Sequence, residues 1–438
     1  MRLQRAQLGL LAALAATIPV SVFAAEIALA LGVLVFAARL LRREARLEPT
    51  PLDPPLLAFA VWTLLAASFA ANPRAAHEDT KELVLFAVFY LAANVLSRAP
   101  DRERVLAALL MGGIALGASM VADHLVLGHD TLARRPSGFL GHWMSASGVV
   151  MGVLVAAAAR LALGPARRPR PRDAWLAVAL LAGVGVVALL DRAGAGVLPT
   201  RLFVAALAAG AIALALSGRA AVRAAGDLLP WVALPVTAWA LVISQTRNAW
   251  VGAVVGLAVV AVMRAPRLLW ALAATVAVLL LVRPTAVTSR LTITDQSSVD
   301  RYYQWQAGVD MIMDKPVFGQ GPGMILTAYP GYRWPEAPNP DTPHLHNNAL
   351  QIAATRGLPG LAFFAWWMVV ALATALAEAR RARVDSPAGW PAVAALGGLV
   401  AILMAGMFEY NLGDSEVLML ALLLTSLPFA RRRERAGV

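Results

Sequence analysis

Apolar stretches of about 16 to 20 residues, a length that spans a bilayer as helix, recur from one end of the chain to the other, separated by short charged connections. They predict membrane-crossing helices near 7–22, 25–41, 55–71, 82–97, 104–122, 142–161, 174–190, 200–217, 228–244, 249–263, 268–283, 358–378, 391–408 and 415–430. Strict alternation is absent, which argues against a β-barrel. The pattern is that of an all-α polytopic membrane protein with 12 to 14 transmembrane helices, the lower count applying if an early hairpin is re-entrant or interfacial. The first 20 residues resemble a signal peptide, but the apolar run continues to Leu41 with Pro19 and Glu26 inside it. Two short helices joined near Pro19–Glu26 fit that pattern better than a cleaved leader.

The pattern breaks once. Residues 284–357 form a long polar connection, so the expected organisation is N-terminal transmembrane helices over 1–283, a catalytic loop containing short helices over 284–357, and C-terminal transmembrane helices with a tail over 358–438. Within the loop, Ser297-Ser298-Val299-Asp300 resembles a capping box and predicts a helix over about 299–313. Tyr302, Trp305, Val309, Ile312 and Met313 would line one stripe of it, for packing or membrane contact.

Composition agrees with the membrane reading: 59% of the 438 residues are hydrophobic and only 15% charged. The net charge of +12 does not point to nucleic acid, because the arginines sit mostly in short loops between apolar spans. Starting inside, the even-numbered connections and both termini carry most of the 38 basic residues, including Arg42, Arg98, Arg167, Arg219, Arg264, Arg381 and Arg431. The positive-inside rule then puts both termini in the cytoplasm and the long loop outside. There are no cysteines, which excludes disulfides, thiolate nucleophiles and cysteine-based metal sites.

The remaining basic residues fall on the outer side, where topology does not call for them. Arg247 lies in the tight connection Ser244-Gln245-Thr246-Arg247-Asn248-Ala249-Trp250, at membrane-surface depth. It either snorkels to lipid headgroups or clamps a phosphate by charge and bidentate geometry. Arg135 opens Arg135-Pro136-Ser137-Gly138-Phe139 just before an apolar span, and Lys81 begins another. Arg301 stands in the first turn of the expected loop helix, where the helix dipole disfavours a cation unless a ligand holds it. Gly319-Gln320-Gly321-Pro322-Gly323 imitates a phosphate loop, but no strand precedes it and a tight turn is expected. Tyr332 and Trp334 follow among prolines, as sugar-stacking faces or an interfacial belt.

The sharpest run is His346-Asn347 standing ahead of Gly357-Leu358-Pro359-Gly360 at the entry to an apolar span. Imidazole suits proton transfer near neutral pH, so His346 points to transfer chemistry at the lipid–water boundary. His344 and Asn347 are its polar neighbours. His344-Leu345-His346 also invites a metal reading, but no third ligand is evident at sensible spacing, with only Glu336 and Asp341 nearby.

These motifs together resemble the bacterial O-antigen ligases, of the superfamily that also holds O-antigen polymerases. The resemblance is carried by the 244–250 connection, the Arg301 and Trp305 helix leading into residues 315–323, and the histidine run to Gly360, with 135–139 as a further arginine–glycine signature. It implies a GT-C-like helical glycosyltransferase in a bacterial inner membrane, active at the periplasmic face. The donor would be O-antigen polysaccharide on undecaprenyl diphosphate, the acceptor lipid A–core oligosaccharide, with no cofactor, metal, nucleotide or nucleic acid. His346 would be catalytic, as the general base; Arg247, Arg301, Arg135 and Lys81 would bind diphosphate; and His344, Asn347, Tyr332 and Trp334 would contact or orient the acceptor. A polymerase, a ligase that glycosylates protein, and a lipid-linked glycan transporter are the rival readings.

Overall fold

The computed structural model describes residues 2–164, 170, 174–282, 296–385 and 389–436. The loop arginine Arg167, with its neighbours Arg168 and Arg172, and the start of the long connection at 283–295 lie outside them. The described residues form helices and no strand. In chain order these are α1 (Arg2–Thr17), α2 (Val22–Leu41), α3 (Asp53–Ser68), α4 (Pro73–Asp79), α5 (Ala87–Val95), α6 (Ala99–Leu125), α7 (Trp143–Leu163), α8 (Trp175–Arg192) and α9 (Leu198–Leu216). Then follow α10 (Arg219–Ile243), α11 (Arg247–Arg264), α12 (Leu268–Val282), α13 (Gln296–Asp314), α14 (Ile325–Ala328), α15 (Asn348–Asp385), α16 (Trp390–Ala405) and α17 (Ser415–Ala436).

Among the described residues, seven helices are long and apolar enough to cross a membrane, and three shorter apolar helices accompany them. Large apolar side chains such as Phe23, Leu41, Trp270 and Leu281 are exposed around the bundle, as lipid contact requires. This is a multi-pass membrane protein. The expected break near Pro19 is real: α1 stops at Thr17, and the Ser21 hydroxyl accepts the Ala24 amide to start α2. The expected span 82–97 is less regular. Residues Thr80–Phe86 wind as 3-10 helix before α5 begins.

Two packing features set the frame of the site. Gly252 and Gly256, four apart on α11, let that helix lie directly on the backbone of α16. A Cβ at Gly252 would stand 2.6 Å from the Ala401 carbonyl oxygen, and one at Gly256 2.8 Å from that of Gly397. Arg247 at the start of α11 and the loop that follows α16 are thereby brought to the same end of the bundle. The second feature is the break in α15 at Gly357, whose φ of 71° and ψ of 176° suit only glycine. The carbonyls of Ala354 and Thr355 are satisfied instead by the amides of Gln320 and Gly321, and the Leu358 amide donates to the Pro316 carbonyl. The glycine-rich stretch at 319–323 is thus a turn that caps a broken helix.

The loop helix differs from its expected form. The described part of α13 begins at Gln296, so Ser297 lies within the helix and is not a cap ahead of it. The buried face is Gln304, Ala307, Gly308 and Met311, while Tyr302, Val309 and Met313 point outward. Of the two roles open to the apolar stripe, this favours membrane contact for those three.

Candidate active site

His346 sits two residues ahead of α15 with a left-handed φ of 50°. Its Nδ1 lies 2.9 Å from both carboxylate oxygens of Glu409. Glu409 stands on the loop between α16 and α17, with its side chain only 4% exposed. A carboxylate accepts, so Nδ1 must carry the proton, which leaves Nε2 as the basic nitrogen. Arg301 Nη2 lies 3.3 Å from Glu409 Oε2, and the Tyr410 amide donates to Oε1 at 3.1 Å. Burial alone raises the Glu409 pKa. The hydrogen bond and charge of His346, then His344 and Arg301, outweigh it and hold the carboxyl below its ordinary value.

His344 packs edge-on against His346 with ring centroids 4.3 Å apart. Its Nδ1 is 3.6 Å from Glu409, too far for a hydrogen bond, and has no hydrogen-bond partner among the described residues. Burial first, and the neighbouring His346 second, push its pKa down to about 4, so it is neutral at pH 7.

The histidine segment is held by a lattice of asparagines. Asn347 Oδ1 accepts the Leu350 amide, capping α15, while Nδ2 donates to the Met407 carbonyl. The Asn348 amide donates to the Gly406 carbonyl, and its side chain donates to Asn411 Oδ1 and accepts from the Leu412 amide. Asn347 therefore positions the site by joining the segment of His346 to the loop of Glu409.

Arg247 Nη2 lies 3.3 Å and 3.1 Å from the hydroxyls of Ser297 and Ser298. Ser297 is one helical turn ahead of Arg301 on α13, so Arg247, Arg301, Glu409 and His346 form one connected cluster. The sharp turn ahead of Arg247 is closed by the Trp250 indole donating to the Leu241 carbonyl, with Gln245 at φ 54°. Arg135 approaches from another side. Its guanidinium is 5.1 Å from the centre of the Trp143 ring, which stacks on His142. His142 in turn feels the Glu409 charge, although burial lowers its pKa.

The structure does not bring Lys81 into this cluster. Lys81 is exposed on the 3-10 turn, and the inward group there is Glu82, which lines a small cavity with Arg356, Thr63 and Tyr410. Arg356 is buried, its Nε 3.2 Å from the Thr63 hydroxyl. Tyr332 and Trp334 brace α13: the tyrosine hydroxyl donates to Asp314 and accepts from Gln320, and the Trp334 indole donates to Asp310 at 3.0 Å.

Sequence reasoning missed Glu409. The one signal was a carboxylate in Gly406-Met407-Phe408-Glu409-Tyr410 between two apolar helices, a place where ionisable groups are rare without purpose. Glu409 also corrects the expectation that the two histidines lack a third ligand. Ligand atoms of His344, His346 and Glu409 all lie within 4.8 Å of one another, whereas Glu336 and Asp341 are exposed elsewhere on the loop. That spacing suits a cation, yet Arg301 and the His346 N–H already occupy the Glu409 oxygens.

Residues 232–365 match the family model described as O-antigen ligase. That segment contains Arg247, Arg301 and His346, and ends before Glu409. No curated protein matches the chain.

Proposed function

We propose, from the match of residues 232–365 to the O-antigen ligase family model, that the chain transfers O-antigen polysaccharide from undecaprenyl diphosphate to a sugar hydroxyl of lipid A–core oligosaccharide. The observation that carries the proposal is the His346–Glu409 pair beside Arg301, with Arg247 linked through Ser297.

In this reading the acceptor hydroxyl oxygen attacks the anomeric carbon of the donor sugar, and its proton passes to His346 Nε2. The bond from that carbon to the diphosphate oxygen breaks, and the diphosphate leaves with the electron pair. Arg247 and Arg301 hold that growing negative charge. Glu409 keeps Nδ1 protonated and stabilises the imidazolium that forms, as the carboxylate of a nucleophile triad does. A single displacement inverts the anomeric centre. The donor is already activated, so neither nucleotide nor metal enters the step. Arg135, through Trp143 and His142, guides the substrate, and Lys81 acts at most as a distant electrostatic contact. Trp334, partly exposed, offers a face for a sugar ring.

The arginine bias supports the orientation, with both termini in the cytoplasm and the cluster at the periplasmic face of the inner membrane; the reading of 12 to 14 crossings in a GT-C-like bundle rests on the apolar runs and on the family resemblance. Residues 284–357 supply the base and one arginine, but the carboxylate comes from the C-terminal segment.

The test is transfer in liposomes holding lipid-linked glycan and lipid A–core, with EDTA present. Wild type should ligate, and His346→Ala should be slower by about 10²–10⁴-fold while remaining folded. Undiminished ligation by that variant removes His346 from the mechanism. Product on lipid-linked glycan alone would mark a polymerase, product on an added protein acceptor a protein ligase, and carrier movement without a glycosidic product a transporter.

A further inference from the structure

At the end of the bundle remote from Glu409, the first turn of α1, the junction of α5 and α6, and the junction of α9 and α10 enclose a cavity of about 440 Å³. The two ends are far apart. α10 runs 25 residues from beside this cavity to the turn before Arg247, roughly 38 Å at the helical rise.

Gln4, Arg5, Arg98, Asp101, Arg104 and Ser217 supply its polar wall. Three guanidinium groups face one carboxylate, and that carboxylate is already committed: Arg104 Nη1 lies 2.7 Å from Asp101. Arg104 Nε is buried and has no hydrogen-bond partner. Arg5 and Arg98 form no side-chain hydrogen bond or ion pair with another described residue. Other arginines at this end do. Arg102 donates to the Leu96 and Ser97 carbonyls and so closes α5, and Arg39 donates to Gln7. The wall also contains Gly218, which starts α10 without a side-chain cap, so the positive end of a long helix opens onto the same space. Leu8, Val95, Ala215 and Leu216 complete the lining with apolar surface.

We propose that this cavity binds a phosphate group, carried by the headgroup of an anionic phospholipid in the leaflet opposite the His346 cluster. The arginines and the α10 amides take the phosphate oxygens, and the apolar wall takes the glycerol and the first acyl carbons. The inference rests on the membrane-spanning fold and not on the proposed transfer reaction.

The test uses the full chain in mild detergent, with ligand binding read by native mass spectrometry. Short-chain phosphatidylglycerol, short-chain phosphatidylcholine and inorganic phosphate are titrated separately. Phosphatidylglycerol should bind at least about ten-fold more tightly than phosphatidylcholine, and the pair Arg98→Gln with Arg104→Gln should weaken it by about ten-fold or more. Arg5→Gln, at an exposed position, should weaken it without disturbing the Asp101 pair. Arg46→Gln, an exposed arginine at the same end but outside the cavity, should change binding less than about two-fold. Equal loss in Arg46→Gln, or equal binding of the two lipids, overturns the site. Arginine-dependent binding of inorganic phosphate without binding of phosphatidylglycerol overturns the lipid as its source.

Discussion

Replacing Glu409 by glutamine removes one charge and leaves the side chain nearly the same size. The wild-type carboxylate is 4% exposed and 2.9 Å from His346 Nδ1, so little solvent screens it from the imidazolium formed when the base takes its proton. With charge centres about 4 Å apart and an effective dielectric near 20, the attraction is about 4 kcal/mol. At 1.36 kcal/mol per decade this is roughly a 10³-fold fall in kcat. The amide adds a second fault. Its NH₂ can donate to Nδ1, which selects the tautomer with the proton on Nε2 and removes the base. KM should barely move, since Glu409 is buried behind the histidine. Initial rates of glycan transfer across a substrate series separate the two constants, and a thermal melt confirms folding. Glu409→Asp, which keeps the charge, should retain more activity than the glutamine variant. A glutamine variant with wild-type kcat, or one whose whole defect lies in KM, would refute the dyad.

Arg247→Lys keeps a charge but loses the planar fork, and should lower kcat/KM by about 10–100-fold; wild-type turnover would make Arg247 a headgroup anchor. Asn347→Ala removes the cap of α15 and the bond to the Met407 carbonyl, and should cost about 1–2 kcal/mol in the local fold. A lower melting temperature and faster amide exchange over 406–412 are expected, and unchanged exchange there would count against the weld. His344 has a folded pKa of about 4 against an ordinary 6.5. Between those values the unfolded chain binds more protons, so this group's contribution falls as pH drops from 6.5 to 4 and levels off below. His344→Gln should flatten that part of a melting-temperature profile against pH, and an identical slope in both proteins would contradict its neutrality.

The membrane helices were legible because each is a long apolar run, and a run is a local property. His346, Arg301 and Arg247, which the fold brings into one cluster, stood out for a similar reason, being polar groups placed where topology alone does not need them. Glu409 was not, because its meaning lies in a partner 63 residues away, and nothing near it in the chain names that partner. The serines at 297 and 298 misled locally: hydroxyls suited to capping a helix here lie inside it and face Arg247. Lys81 misled by charge alone, since a 3-10 turn points Glu82 inward and the lysine out. The break at Gly357 was written in the sequence as a glycine, but its purpose needed the amides of 320 and 321 to be seen.

His346 and Glu409 flank the two arms of the hairpin formed by α15 and α16, one before the first arm and one after the second. During synthesis the ribosome makes His346 long before Glu409, and the asparagine lattice closes only when the 406–412 loop has emerged. A nascent or truncated chain that stops after α15 holds every residue of the matched family segment yet has an unsupported imidazole. On the proposed mechanism, competence for transfer would require the chain at least through the 406–412 loop, and a chain ending after α15 would lack the carboxylate that sets the imidazole tautomer.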